Sequence, residues 1–400
     1  MRILHAVETY NTFTSGMQEV VQRISELLAS RGHQVTVATT AMPERHFSTY
    51  NGVEVVQFDI HGNCTLGYRG SAAARDEYQK LLLSKNFDVI TGFAAQQLSV
   101  DFMLPILQQI SAATVFVPTG FSGLQWRAYK KYYRSMPTWL SEFSANVAIT
   151  RSYRDAQYMH DHEIKNAFYI PNGASVKEFE EPADTDIRKA LNIPKNHILF
   201  LHVGSHTGVK GHAEMIKAFR KAKLPPATLL IVGTEPPNGC ASRCRRATQK
   251  HGLLTFSRSQ SEQEIQFVTL RREETVAAFQ AADIFLFLSN IECSPIVLFE
   301  SMAARTPFIC TDVGNTKEIA SEGSGTGIIV KTHINRKGMS YANIASAIDA
   351  IEQLGNNTVL REKLGSEGHR AWKEKHTWGS IAVKYENLYT QLLQRKQSSL

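Results

Sequence analysis

The sequence predicts an α/β protein made of two domains, each with a mostly parallel sheet that helices cover on both faces. Its 400 residues, 43% of them hydrophobic, exceed what one core normally holds, so two domains of ordinary size are expected. Strand patterns alternate with helix patterns from the first residues onward, an order typical of parallel sheets. The alternation stops once, at residues 171–197, where a charged stretch containing prolines predicts a linker.

The first half opens with a βαβ unit. Residues 2–7 predict a buried strand, residues 16–31 a helix, because apolar side chains recur there at helical spacing, and residues 35–39 the next strand. Further strands, separated by stretches long enough for crossover helices, are expected at 53–58, 88–91, 114–117, 146–149 and 167–170.

The second half repeats this rhythm and ends in a helical tail. Strands are expected at 198–203, 228–232, 266–269, 284–288, 308–311 and 327–330. From about residue 339 the pattern is helical, with breaks near Gly355 and Trp378. We assign the first domain to residues 1–175, the second to 176–377 and a terminal helix to 378–400, and we expect a crevice between the two domains.

Composition excludes several classes of protein. No apolar run typical of a secretory leader follows Met1, and none approaches the roughly 20 residues that a bilayer-spanning helix needs. The five cysteines lack C-x-x-C spacing and the histidines show no ligand pattern, so neither a disulfide framework nor a metal site is expected. Although the net charge is +7, there is no basic tail or nucleic-acid module, so no nucleic-acid partner is expected. A cytoplasmic protein, soluble or peripheral at the inner membrane face, fits these features.

The most informative segment is 283–314. It predicts a strand, a polar loop that holds Glu292, a helix at 296–304 that holds Glu300, and a second strand. The loop at the carboxyl end of a parallel strand faces the ligand crevice, and a helix start offers free N–H groups to an anion. A nucleotide diphosphate suits such a site. Glu300 could accept two hydrogen bonds from a cis-diol such as ribose, at about 1.5–3 kcal/mol for each charged bond.

The residues ECSPIVLFESMAARTPFICTDVGNTKEI of this segment resemble the E-x7-E signature of the retaining glycosyltransferases of family 4. The resemblance covers most of the chain and is strongest at 198–331. It implies the GT-B architecture, in which two Rossmann-like domains present parallel sheets across a cleft. The amino-terminal domain would bind the acceptor and the carboxy-terminal domain the nucleotide-sugar donor, and the last helix would cross back to the first domain.

The resemblance also implies the donor-binding residues of this segment. Glu300 would hold the ribose, and Glu292 would act in catalysis beside the sugar. The backbone around the helix start would bind sugar or phosphate through Ser294, Pro295, Ile296 and Val297. Pro295 replaces a family glycine and removes one N–H from this helix start.

A second cluster, HVGSHTGVKGHAEMIKAF at 202–219, resembles the family segment G-R-L-x-x-x-K-G. The resemblance implies that Lys210 offsets the diphosphate charge while the bond to the sugar breaks. Gly204 would let the backbone approach the phosphates closely. Ser205 stands where the family carries a phosphate-binding Arg, with His206 next to it. The remaining candidates for a replacement cation are Arg258, Arg271 and Arg272.

Two features of the first domain also correspond to the family pattern. Gly16, in TSGMQEVV, opens the first helix and would let donor phosphate or acceptor approach its N–H groups, although Ser15 could equally be a plain N-cap. Thr119 ends a predicted strand where relatives commonly have His beside the transferred sugar. A hydroxyl cannot act as a base near pH 7, so catalysis here would not use an imidazole at this position.

The segment 126–134, WRAYKKYYR, predicts a basic helix face. Its cations are Arg127, Lys130, Lys131 and Arg134, with aromatic residues between them. Such a face can contact anionic lipid or acceptor headgroups. It can also be a solvated basic face whose aromatic side chains pack inward, and the sequence does not separate the two.

The resemblance therefore predicts a retaining glycosyltransferase. It would move a sugar from a nucleotide-diphosphate sugar, with UDP expected from family frequency, to a hydroxyl of a glycan, lipid-linked or small-molecule acceptor. No metal and no cofactor besides this donor substrate are expected. Two alternatives stay open: a degenerate nucleotide-sugar-binding scaffold, suggested by Ser205 and Thr119, and a two-domain nucleotide-sugar epimerase.

Overall fold

A computed structural model describes residues 1–11, 16–65, 67–249 and 262–398. The chain divides into two compact units. The first unit comprises Met1–Asn172 with Trp378–Leu400, and the second comprises Gly173–Thr377. Both are α/β, as the alternating patterns predicted.

The first unit follows the predicted order of strands and helices. Its elements are β1 (Arg2–Ala6), α1 (Gly16–Ser30), β2 (Gln34–Thr40), β3 (Thr49–Tyr50), β4 (Val53–Phe58), β5 (Ile60–Asn63), β6 (Gly67–Gly70), α2 (Ala72–Leu83), β7 (Val89–Phe93), α3 (Leu98–Asp101), a 3-10 turn (Leu104–Gln109), β8 (Ala113–Val117), a second 3-10 turn (Arg127–Tyr129), α4 (Lys130–Glu142), β9 (Ala145–Ala148), α5 (Arg154–Asp161) and β10 (Ala167–Tyr169).

The second unit begins with short helices and then alternates strands with longer ones. Its elements are α6 (Val176–Phe179), α7 (Ile187–Ala190), β11 (Ile198–Val203), α8 (His212–Lys221), β12 (Ala227–Val232), α9 (Ala241–Gln249), β13 (Gln263–Val268), α10 (Arg272–Ala281), β14 (Ile284–Phe287), α11 (Ile296–Ala303), β15 (Phe308–Thr311), α12 (Thr316–Ala320), β16 (Gly327–Val330), β17 (Thr332–Ile334), β18 (Ser340–Ala342), α13 (Ile344–Gly355) and α14 (Thr358–Lys375).

The final helix, α15 (Trp378–Ser398), belongs to the first unit. Its Tyr389 hydroxyl lies 2.7 Å from the Thr91 hydroxyl of β7 and 3.2 Å from His5 Nε2 of β1. All three side chains are buried. Near the surface, Glu386 accepts from His33 Nε2 at 2.8 Å. The end of the chain is therefore fixed to the first sheet by buried polar contacts as well as by apolar packing.

The sheet of the first unit has the order β10-β9-β8-β7-β1-β2-β4-β3. Its pairings are parallel except that between β3 and β4 at one edge. Strands β7, β8 and β9 are buried along their whole length, because helices cover both faces of a parallel sheet. This explains why they read in the sequence as mostly apolar segments, with buried Thr91, Thr114 and Asn146 as exceptions.

The sheet of the second unit is parallel, with the order β13-β12-β11-β14-β15-β16. Successive side chains of β11 point to opposite faces. Leu199 and Leu201 join the core beneath α10 and α11, whereas Phe200 joins the core beneath α8 and α13. Strand order reverses between β11 and β14, and ligands of such sheets bind outside the carboxyl ends of the strands at this reversal.

The interpretation of 171–197 as a linker is wrong for most of its length. The segment forms α6 and α7 within the second unit, and Phe179, Ile187 and Ile193 are buried in its core. These isolated apolar residues anchor a stretch that is otherwise charged. The change from one unit to the other lies at Asn172 and Gly173.

Other differences concern strands with little apolar character. Strand β13 starts at Gln263, three residues before the prediction, because it is an edge strand whose first two residues, Gln263 and Glu264, are polar. The hairpins β5–β6 and β17–β18 escaped prediction, since their strands are only three or four residues long. Within the described residues, no helix combines the length and apolar character that crossing a bilayer requires.

Candidate donor site

The candidate site lies at the strand-order reversal of the second sheet. The loop after β11 carries Gly204, Ser205 and Lys210, and the loop after β14 carries Glu292 and Ser294. Since β11 and β14 are neighbours and run parallel, their carboxyl ends bring the two loops together. Residues more than 80 positions apart thereby share one site, as the family resemblance implied.

Lys210 and Glu292 form an ion pair at the centre of these loops. Lys210 Nζ lies 2.6 Å from Glu292 Oε1, and the Ser289 hydroxyl donates to the same oxygen at 2.7 Å. The two side chains are 27% and 14% exposed, so the pair is partly withdrawn from water. A charge in such a position is screened less than one on the open surface. The structure therefore brings together the two residues for which catalytic roles were predicted.

Close backbone packing fixes where Lys210 stands. Gly211, the residue before α8, has a φ of +67°, and a Cβ built on it would lie 1.7 Å from the carbonyl oxygen of Leu288. Only glycine tolerates both the left-handed conformation and this approach. The Asn290 N–H donates to the Val209 carbonyl at 2.8 Å. These contacts join the β11 loop to the end of β14, so the Lys210 backbone does not depend on the ion pair for its position.

A third loop, at residues 312–315 after β15, supports the start of α11. The Asn315 amide donates to Ser294 Oγ at 3.1 Å, and the Asn315 N–H donates to the Cys293 carbonyl at 2.9 Å. Gly314 has a φ of +59°, and a Cβ there would come within 2.2 Å of the same carbonyl. Sequence reasoning did not identify Asn315 as part of the site. The available signal in the sequence was that Asn315 lies in the loop that follows a predicted strand, the strand that comes directly after the helix holding Glu300.

The predicted helix start is confirmed at Ile296, with Pro295 before it as a cap residue that makes no side-chain capping bond. Ile296 and Val297 are half-buried, and Ser294 is buried. Proline supplies no N–H, so the donors that this end can offer come from the residues on either side of Pro295.

Glu300 lies inside α11, and its side chain is 4% exposed. Its Oε1 lies 2.6 Å from Nη1 of Arg272 at the start of α10. The other edge of the same guanidinium donates to both carboxylate oxygens of Glu178, from Nη2 at 2.8 Å and from Nε at 3.2 Å. The sequence suggested Arg272 only as one of three candidate cations. In the structure it is Arg272 that pairs with Glu300, the residue predicted to bind the ribose. Glu178 was not predicted.

The other proposed cations lie elsewhere. Arg271 caps α10 and pairs with Glu274, with its side chain 77% exposed. Arg258 lies outside the described residues. Ser205 replaces the family Arg with a hydroxyl that accepts from the Thr234 hydroxyl at 2.8 Å.

His206 occupies a buried cluster. Its ring is 1% exposed and stacks on His212, with the centroids 4.2 Å apart. Burial lowers the pKa of His206, so the imidazole is neutral at pH 7. A neutral, enclosed ring does not offset phosphate charge, so its position does not support the predicted role of His206 in phosphate binding. Gly204, two residues before His206, directly follows β11, and its N–H donates to the Val232 carbonyl at 2.9 Å.

In the first unit, Gly16 begins α1 as predicted, while Ser15 lies outside the described residues. Thr119, after β8, has a φ of +58°, an outlier for a β-branched side chain. In the preceding loop, after β7, Ala94 has a φ of +66°, and its N–H bonds the Val117 carbonyl at 2.9 Å. Backbone strain of this kind clusters at functional sites. The two residues therefore indicate a candidate functional region at the carboxyl ends of β7 and β8, without reference to the family resemblance.

The segment 126–134 forms a 3-10 turn followed by the start of α4. Its four cations are exposed, and Trp126 is 61% exposed. Tyr129 and Tyr133 are buried in the core of the first unit. For these two aromatic residues the inward-packing alternative is correct.

Comparisons with known proteins assign both halves of the chain to glycosyltransferase families. A family model described as "Glycosyl transferases group 1" matches residues 183–370, and one described as "Glycosyl transferase 4-like domain" matches residues 15–173. The chain is 22% identical over 411 residues to O-antigen chain mannosyltransferase C of Escherichia coli, covering 99% of this chain and 100% of that protein.

Solved structures show the same fold. Sucrose-phosphate synthase from Thermosynechococcus elongatus superposes with a TM-score of 0.76 at 18% identity, covering 99% of this chain and 100% of that one. Anabaena Alr3699/HepE in complex with UDP and glucose superposes with a TM-score of 0.73 at 15% identity, covering 98% and 100%. The chain thus belongs to the family 4 glycosyltransferases and is a glycosyltransferase of the GT-B fold.

Proposed function

We propose that the protein transfers a sugar, with retention of its anomeric configuration, from a nucleotide-diphosphate sugar to a hydroxyl of a glycan, lipid-linked or small-molecule acceptor. UDP is the proposed nucleotide, on family frequency. The observation that carries the proposal is the partly buried Lys210–Glu292 pair at the carboxyl ends of β11 and β14. The pair holds the Lys210 ammonium in place at the reversal of strand order, which is where parallel sheets of this kind bind their ligands.

In this proposal the diphosphate lies against the loop after β11 and the start of α11. As the bond between the anomeric carbon and the phosphate oxygen breaks, charge grows on the leaving diphosphate. Lys210 offsets that charge without having to reorient, because Glu292, Ser289 and the Gly211 turn already hold its loop. The acceptor oxygen bonds the same face of the anomeric carbon, and its proton passes to the leaving phosphate oxygen. No protein base and no metal take part.

The nucleoside would be held by Glu300. A carboxylate binds a ribose diol well only if its orientation is fixed beforehand, and Arg272 fixes Glu300 through the 2.6 Å contact. Arg272 is itself oriented by Glu178, so we regard it as a positioning residue for the ribose site. Because two carboxylates already surround it, Arg272 adds little positive charge for the phosphates.

The family assignment favours transfer over the two alternatives, and experiment separates all three. Thermal denaturation with UDP, GDP, ADP and their sugars, GDP-mannose included, would identify the donor. NMR of the product would then report its anomeric configuration. Turnover that consumes donor and forms a glycoside of unchanged configuration is the expected result. Tight nucleotide binding without turnover on any donor would indicate a scaffold, and a changed free nucleotide sugar without acceptor would indicate an epimerase.

We further propose that residues 126–134 contact anionic lipid at the cytoplasmic membrane face. Arg127, Lys130, Lys131 and Arg134 are exposed together with Trp126, a combination that suits a headgroup surface. More protein should cosediment with vesicles containing phosphatidylglycerol than with neutral vesicles. This difference should shrink in the double variant that carries both Trp126→Ala and Lys131→Glu. Equal binding to both kinds of vesicle would contradict this contact.

A further inference from the structure

The cations described so far in the candidate donor site are largely neutralised by carboxylates. Lys210 pairs with Glu292, and Arg272 is held between two carboxylates. Ser205 places a hydroxyl where the family has an Arg. A nucleotide diphosphate carries more than one negative charge, so we expect a further cation near the β11 loop, residues 204–211.

One arginine of α9 lies against this loop. Arg243 is the third residue of α9, and a Cβ built on Gly208 would lie 3.9 Å from its Nη2. Gly208 has a φ of +86°, a backbone conformation that favours glycine, and it is exposed. Among the residues that the structure describes, no acceptor bonds the Gly208 N–H. The guanidinium therefore lies near an accessible donor of the loop backbone, and both groups can bind an anion.

Backbone contacts fix the start of α9 against the β11 loop. The Cys240 N–H donates to the His206 carbonyl at 2.8 Å, and a Cβ built on Gly239 would lie 2.1 Å from the same oxygen, so only glycine fits there. The His206 N–H donates to the Thr234 carbonyl, in the loop that precedes α9, at 2.9 Å. The backbone of Arg243 is thus in place before any ligand binds, which lowers the entropic cost of using its side chain.

Arg243 also differs from the other cations of the site in having no acidic partner. It is exposed, and within the described part of the chain its guanidinium forms no ion pair and no hydrogen bond. The acid nearest to it in the sequence, Glu235, pairs with Arg245 instead. The charge of Arg243 is therefore available to a bound anion, whereas those of Lys210 and Arg272 are shared with carboxylates.

We propose that Arg243 is the second cation of the donor site and binds the diphosphate beside Gly208, in the role that the family gives to an Arg at position 205. A guanidinium suits this role because it stays charged at any working pH and can donate two parallel hydrogen bonds to one phosphate group. This inference rests on the proposed function, since it requires a donor diphosphate at the β11 loop. The contribution of Arg243 should accordingly depend on the phosphates of the ligand and not on its nucleoside.

The test compares two ligands that differ only in their phosphates. The Kd of UDP is measured by calorimetry, and that of uridine by competition against UDP, in wild type and in two variants. Arg243→Gln should raise the Kd of UDP by about 10-fold, the lower end of the range for a charged hydrogen bond because Arg243 is exposed, and should leave the Kd of uridine unchanged. Arg246→Gln is the matched control, since Arg246 is exposed on the same helix about 4.5 Å further along its axis, and it should change neither Kd.

The possible outcomes separate this inference from the proposed function. A wild-type protein that binds none of UDP, GDP and ADP would overturn both. If wild type binds GDP or ADP and not UDP, that nucleotide and its nucleoside take the places of UDP and uridine. Equal affinity of wild type and Arg243→Gln for the diphosphate would overturn the role of Arg243 alone. An equal loss of affinity for diphosphate and nucleoside would also overturn it, because it would show a structural effect on the whole site.

Discussion

Removal of the Lys210 charge is the sharpest test of the donor site. In Lys210→Met the aliphatic stem stays and the ammonium is lost, so the leaving diphosphate loses its cation. Loss of one group that stabilises charge in a transition state typically costs about 2.7–4 kcal/mol, or about 100- to 1,000-fold in kcat. We expect a fall of this size. The loop itself should keep its position, because Gly211 packs against the Leu288 carbonyl and the Asn290–Val209 bond does not involve the side chain.

The partner residue shows whether the pair acts as one unit. Glu292→Gln keeps the shape of Glu292 and removes its charge. Lys210 Nζ and Glu292 Oε1 are 2.6 Å apart and partly buried. We therefore expect their interaction energy to be that of a charged hydrogen bond, about 1.5–3 kcal/mol, and not the smaller energy of an exposed surface pair. In a double-mutant cycle on kcat, the two substitutions should therefore be non-additive by about 10- to 150-fold.

Initial rates of transfer measure these effects, and thermal denaturation checks the fold of each variant. A second Lys–Glu pair provides the control: Lys373 Nζ lies 2.5 Å from Glu180, with side chains 62% and 35% exposed. Lys373→Met should leave kcat within about threefold of wild type, since exposed pairs contribute little. A folded Lys210→Met that also keeps kcat within about threefold would refute the reasoning, because a leaving-group cation is worth more than that.

Three further predictions follow from the same structure. Glu300→Ala should abolish the stabilisation by UDP, which in wild type amounts to about 2.7 kcal/mol at 100 times Kd; an unchanged thermal shift would show that the ribose lies elsewhere. Burial lowers the pKa of His5 to about 3, so the folded state binds fewer protons than the unfolded state below pH 6.5. The contribution of His5 to the free energy of unfolding should be complete above pH 6.5 and should decline as pH falls towards 3, by about 2 kcal/mol at pH 5. In urea titrations at several pH values, the free energy of unfolding of His5→Asn should change less steeply with pH than that of wild type, by up to one proton. An identical pH dependence in both proteins would contradict this prediction. Tyr389→Phe removes the hydroxyl that meets Thr91 at 2.7 Å and should lower the free energy of unfolding by about 0.5–1.5 kcal/mol; an unchanged denaturant midpoint would mean that this contact adds nothing.

Local pattern was a good guide wherever the chain is buried on both faces. Strands such as β7, β8 and β14 are mostly apolar because helices cover both faces of the parallel sheet, and their predicted positions differ from the structure by at most two residues. The breaks near Gly355 and Trp378 were likewise readable, because α13 ends at Gly355 and α15 begins at Trp378.

Local pattern failed where few apolar residues do the packing. The charges of 171–197 suggested a linker, yet Phe179, Ile187 and Ile193 suffice to bury that segment in the second core. Charge describes the exposed majority of such a segment, whereas a small number of side chains decides where it packs. Edge strand β13 shows the same limitation, since it begins with two polar residues and none of its residues is fully buried.

The order of apolar and polar residues was enough to predict the alternation of strands and helices and to place Lys210 and Glu292 in loops that follow predicted strands. Those features depend on periodicity and on the order of elements, which a linear chain displays. Packing of the folded chain was needed to show that β11 and β14 are neighbours, that Arg272 holds Glu300 and that Tyr129 and Tyr133 point inward. It also encloses His206 with His212 and Cys240. These are contacts between residues on separate elements. Their distances are set by how helices and loops pack on the sheet, which no local pattern records.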